Sequence, residues 1–206
     1  GTAGHDKKVY ESIFEQCVSF DMNEVLILVI RCQKEEEKDR HSFASLRKYL
    51  KAENAACGVS KRFHDFELLG EEYKLANAAL EMGRWKYPEE SLYFYEDLML
   101  EHLLNEGSRF FHLRSLCEDA VLRLAEYDLQ NGSNLVETLK VYLLQERSLL
   151  AASQELHIHR NTLVYRLNKI EQLSSLDLSS PSTRLNTILS CVILEYLDSL
   201  IKRSPK

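Results

Sequence analysis

The stretch with the most chemical potential runs from His157 to Gln172 and reads HIHRNTLVYRLNKIEQ. On a wheel at about 100° per residue, Asn161, Tyr165, Asn168, Lys169 and Gln172 share one side. His159 and Arg160 stand at its start and Arg166 on its flank. The other side carries Leu163, Leu167 and Ile170 at i, i+4 and i+7, a single apolar stripe. From Leu156 to Ile170 the charged side chains are Arg160, Arg166 and Lys169, without a carboxylate. Amide and guanidinium groups can make paired hydrogen bonds to base edges, while basic groups neutralise phosphates. The chemistry implied is recognition of a DNA duplex. The formal net charge of -6 excludes a chain that coats nucleic acid by bulk charge, but permits a local basic face.

A face of this kind works only if other elements hold it. Ser148 is expected to cap a short helix from Leu149 to Leu156, where Ala151, Ala152 and Ser153 allow another helix to approach closely. The connection is His157-Ile158-His159, and the second helix is expected from Arg160 to Leu173. Short helix, tight turn and one-sided helix make a helix-turn-helix pattern at 148–173. On it Arg160, Asn161 and Tyr165 are assigned to base edges, with Asn168 further along. His159, Thr162, Arg166 and Lys169 are assigned to phosphates or orientation. Arg166 could equally pair with Glu155 or Glu137 inside the domain, and His159 could cap the second helix. His157 is expected to pack and hydrogen bond. The competing class is a helical protein–protein interaction module without DNA binding. Such a face would use acidic and basic residues equally, so the missing carboxylates speak for DNA.

The run from Leu156 through His157-Ile158-His159-Arg160-Asn161-Thr162-Leu163-Val164-Tyr165-Arg166-Leu167, preceded by Thr138-Leu139-Lys140-Val141-Tyr142-Leu143, resembles the C-terminal helix-turn-helix of PucR/CdaR-type bacterial transcriptional regulators. One departure is Ser153, where that family usually has Ala; serine is small enough for close contact, but its hydroxyl wants a backbone partner. Upstream, Gly58-Val59-Ser60, Glu72 to Leu80 and Tyr93 to Leu98 resemble, in that order, the degenerate GGDEF-like domain that usually precedes the helix-turn-helix, without its usual first strand. The resemblance implies an effector sensed by an upstream domain absent from this chain. A homodimer is expected for an operator with two half-sites.

Read in order, the chain predicts an α+β N-terminal domain at 1–106 followed by an all-α domain at 107–206. Lys7 to Cys17 is expected as a helix, Val18 to Phe20 and Val25 to Cys32 as a hairpin around Asp21-Met22-Asn23-Glu24. The unbroken run Val25 to Ile30 reads as a strand buried on both faces. Gln33 to Arg40 is expected as a charged loop, Ser42 to Asn54 as a helix and Ala55 to Ser60 as a strand. Glu71 to Met82 should be a helix ended by Gly83, and Ser91 to Tyr95 a strand, all on one small sheet with helices on one face. Glu96 to Asn105, Leu113 to Tyr127 and Leu135 to Glu146 are further expected helices, the last with a capping pair Asn134 and Glu137. The final helix is Thr183 to Ile201, with Leu185, Ile188, Leu189, Val192, Tyr196, Leu197 and Leu200 on its apolar side. A dimer contact there is the lesser alternative.

Cys17, Cys32, Cys57, Cys117 and Cys191 are odd in number and widely spaced, which suits free thiols in a reducing cytoplasm. The longest apolar run is too short to span a membrane, and no apolar leader segment follows the opening GTAGHDKK, which reads as the start of a fragment. No enzyme is expected. There is no Gly-Gly turn with an acidic pair such as a nucleotidyl cyclase needs, no P-loop and no nucleophile elbow. His157 and His159 have no further ligand at metal spacing, so neither a metal nor a cofactor is expected.

Overall fold

The computed structural model describes residues 7–14, 16–22, 25–32 and 36–203. The chain divides into two compact units, Gly1–His102 and Leu103–Lys206.

In the first unit, α1 (Lys7–Ile13) leads to β1 (Cys17–Met22) and β2 (Val25–Ile30), an antiparallel pair with Cys17 opposite Ile30 and Met22 opposite Val25. Then come α2 (Glu36–Ala52), β3 (Cys57–Val59), α3 (Leu69–Lys86) and β4 (Leu92–Phe94). β3 and β4 are parallel, with Cys57 opposite Leu92. One apolar cluster joins Tyr10 of α1 and Phe14, just past its end, to Leu46 and Leu50 of α2 and to Leu92, with Leu26, Leu28 and Ile30 half-buried against it. A second joins Ala78 and Ala79 of α3 to Tyr93, Tyr95 and Leu98.

Four expectations change here. The described strands form two separate two-stranded sheets, not one. β2 is only half-buried, so its lack of alternation does not come from burial on both faces. The charged stretch is helical from Glu36, because α2 continues upstream of its buried residues; Gln33 to Glu35 and the turn residues Asn23 and Glu24 lie outside the described residues. Gly83 does not end α3 but lies buried inside it, where an added Cβ would come within 2.2 Å of the Tyr93 ring. The glycine is there for close approach of helix and strand, not as a stop. Gly83→Ala is expected to destabilise this unit by about 1–3 kcal/mol through overpacking, read from urea unfolding.

Helix α4 (Met99–Gly107) runs across the division. The second unit continues with a 3-10 turn at Leu113–Leu116 and α5 (Asp119–Asn131), α6 (Leu135–Leu144), α7 (Leu149–Glu155), α8 (Arg160–Ser174) and α9 (Pro181–Arg203). The expected continuous helix from Leu113 is broken at Cys117, which is extended and buried. The break is held because the Glu118 N–H donates to Ser190 Oγ of α9 at 2.9 Å. Gly132 ends α5 in the left-handed conformation at φ 61°.

The core joins Leu124 of α5, Leu135, Leu139 and Leu143 of α6 and Ile170 of α8, with Ile188 of α9 beside them. On α9, Cys191, Ile193 and Leu194 are buried, while Leu185 and Leu189, expected inward, are exposed. None of the five cysteines is in a disulfide. Among the described residues, no helix is long and apolar enough to cross a membrane.

Candidate nucleic-acid interface

The two helices of the candidate reader are set by local caps. The Ser148 hydroxyl accepts the Ala151 N–H at 3.2 Å and starts α7. Ser153 finds the backbone partner it needs, donating to the Leu150 carbonyl at 2.9 Å, and is itself buried. At the end of α7, the N–H of His157 donates to the Gln154 carbonyl and that of Ile158 to the Ser153 carbonyl. This is the Schellman arrangement, which places its next residue in the left-handed region. Here that residue is His157, at φ 52° and exposed. Its role is backbone geometry of the turn, a correction to the expected side-chain contact. A β-branched residue is strained at such a φ, so His157→Val should cost about 1–2 kcal/mol while His157→Gly is tolerated, checked by denaturant midpoints.

His159 then caps α8. Its Nδ1 accepts the Asn161 N–H at 3.2 Å, so in the neutral ring the proton sits on Nε2. That nitrogen remains a donor directed away from the cap. The helix has no acidic residue in its first turn, leaving its positive dipole end uncompensated.

From this start the face unrolls. Arg160, Asn161, Thr162 and Asn168 are exposed, and Tyr165 is 70% exposed. Leu163 (0% exposed) and Ile170 (3%) point the other way. α8 rests on α5, α6 and α7.

Two assigned cations are engaged within the unit. Arg166 is half-buried, and its Nη1 donates to Thr138 Oγ1 of α6 at 3.1 Å; neither Glu155 nor Glu137 is the partner. Thr138 in turn donates to the Asn134 carbonyl at 2.5 Å. Lys169 Nζ lies 5.3 Å from the centre of the Tyr127 ring on α5, a cation–π contact on the flank of the face. Val164, 37% exposed beside Tyr165, was not singled out from the sequence. Its position off the apolar stripe was the available signal.

The support beneath the face also differs from expectation. Asn134 makes no side-chain cap to α6. Asp128, at the end of α5, replaces it: its carboxylate accepts the N–H groups of Leu135 (2.8 Å) and Val136 (2.9 Å) and the Ser133 hydroxyl. The carboxylate reaches them because Gly132 folds the chain back.

Helix α6 with its inner side buried, a capped short helix and a one-sided helix, the last two joined by the four residues 156–159, define a helix-turn-helix domain. Residues 135–193 match the PucR C-terminal helix-turn-helix domain. It is 37% identical over 117 residues to the carbohydrate diacid regulator of Escherichia coli K12, covering 57% of this chain and 30% of that protein. It is 24% identical over 202 residues to the DNA-binding transcriptional activator AdeR of Bacillus subtilis, covering 91% and 46%. To the proline-responsive transcriptional activator PutR of Bacillus subtilis it is 27% identical over 142 residues, covering 67% and 34%. The chain thus spans less than half the length of these curated relatives. Arg166 and Thr138, one from each half of the helix-turn-helix signature, are the pair joined by the hydrogen bond described above.

Proposed function

We propose that this chain binds DNA sequence-specifically as part of a transcriptional regulator, with α8 in the major groove. The observation that carries this is the exposed face of α8, which has no carboxylate from Arg160 to Ile170, is capped by His159 and is backed by a fully buried Leu163. The relatives named as transcriptional activators and regulators support it. Arg160, Asn161 and Tyr165 approach base edges, with Asn168 further along. Thr162, Lys169 and the Nε2–H of His159 serve phosphates. Arg166 acts chiefly as a strut between α8 and α6. The region 1–106 is a degenerate GGDEF-like domain with a structural or regulatory part rather than a catalytic one, and 107–206 is the DNA-binding domain. The protein works in the cytoplasm as a homodimer, with its effector sensed upstream of this chain.

Asn161→Ala is expected to relax preference at one base pair, losing about 1–3 kcal/mol on the preferred sequence and little on others. Lys169→Ala should instead weaken all duplexes alike and flatten the slope of log K against log salt by about 0.9. Titrations of both variants on a set of single-base operator changes separate the two roles. Equal losses for Asn161→Ala on every duplex would sink the base-reading assignment.

A further inference from the structure

The outer face of α8 carries one side chain that the roles given above leave without a task. Among the described residues, Val164 is the only exposed position of α8 without a polar group, and it is 37% exposed. Arg160 at i−4, Asn161 at i−3 and Asn168 at i+4 adjoin it, all exposed. At about 100° per residue, Val164 stands about 60° round the helix from Asn161 and about 40° from Asn168. The inner side is held by Leu163 and Ile170, which point away from it. An isolated exposed valine is commonplace on a solvated face. Here its neighbours give it meaning, because they are the amide and guanidinium groups that approach base edges.

A helix seated in the major groove brings this branched apolar group against the base pairs together with its neighbours. The base edges there are rows of hydrogen-bond donors and acceptors, and the one apolar substituent among them is the C5-methyl of thymine. A valine pressed on a donor or an acceptor takes water from that group and returns no bond, which costs affinity. Pressed on a methyl group, it removes apolar surface from water on both sides.

We infer that Val164 is a specificity-determining residue that reads one thymine of the operator through its C5-methyl group. The inference rests on the proposed seating of α8 in the major groove and adds to it a base identity. It also carries a position. Asn161 and Val164 are separated along the helix axis by about 4.5 Å, against a base-pair rise of about 3.4 Å. The thymine therefore lies within two base pairs of the pair that Asn161 reads, on either strand.

The test replaces each thymine in turn by deoxyuridine in a duplex from the protein's own upstream region, with affinity for the full-length protein read by fluorescence anisotropy. The replacement removes the methyl and leaves every hydrogen-bonding group in place. For the wild type, one position (and its symmetry mate in a two-fold operator) should bind about fourfold more weakly, the effect of one buried methyl group. Val164→Ser should bind the unmodified duplex about fourfold or more weakly and lose all sensitivity to uracil at that position. Serine and valine have similar helix propensities, and the site is exposed, so the fold should survive; equal thermal midpoints check this. Preference for the native over a scrambled duplex with no thymine sensitive to uracil would overturn the inference and leave the seating of α8 standing. Sensitivity that persists in Val164→Ser would also overturn it, since Thr162 or Tyr165 would then meet the methyl. So would a sensitive thymine more than two base pairs from the position relaxed by Asn161→Ala. A wild-type protein with no preference between native and scrambled duplexes would remove the reading of α8 itself, and the inference with it.

Discussion

Leu163→Ala is expected to destabilise the helix-turn-helix unit by about 2–5 kcal/mol and to abolish its duplex affinity at 37 °C. Leu163 is fully buried on the inner side of α8, directly beneath the exposed Asn161, Thr162 and Tyr165. Removing its branched end leaves a cavity on the buried side of α8, and a helix that loses this anchor no longer presents its outer face at a fixed angle. Urea unfolding followed by far-ultraviolet circular dichroism reads the first effect, and duplex titration at 10 °C reads what affinity remains. Leu163→Met, close in volume, should lose less than about 1.5 kcal/mol and keep base preference. If Leu163→Ala unfolds at the wild-type denaturant midpoint, α8 is not held by this contact.

The second large effect is expected at Asp128. Its carboxylate serves the first N–H groups of α6 and the Ser133 hydroxyl at once, joining α5 to α6 around Gly132. Asp128→Ala strips the cap from a helix that forms the centre of the core, at a cost of about 2–4 kcal/mol. Asp128→Asn keeps one acceptor and should lose roughly half as much. Asn134→Ala should change little, because the Asn134 side chain makes no cap contact. A larger loss for Asn134→Ala than for Asp128→Ala would reverse this assignment.

These two residues mark what could be read from the sequence and what could not. The buried stripe of α8 and the caps by Ser148 and His159 were legible because each depends on residues within one or two turns of one another. The cap of α6 was not, because its acceptor comes from the preceding helix and depends on the left-handed turn at Gly132. Gly83 read as a stop because the closeness of Tyr93, which requires a residue without Cβ, is a contact between distant elements. The break at Cys117 is likewise fixed from afar, by Ser190 on α9. On the recognition face the outward set was legible from periodicity, while the engagement of Arg166 by Thr138 needed the position of α6. Val25 to Ile30 read as a fully buried strand, whereas β2 is only half-buried.

The most direct test of DNA reading by α8 is fluorescence anisotropy of the full-length protein on a duplex from its own upstream region and on a scrambled duplex, each titrated at two salt concentrations. The account predicts tighter binding to the native duplex at both salts, affinity that falls as salt rises, and loss of the difference between duplexes in Asn161→Ala. Equal affinity for native and scrambled duplexes, or a preference that survives Asn161→Ala unchanged, would contradict it.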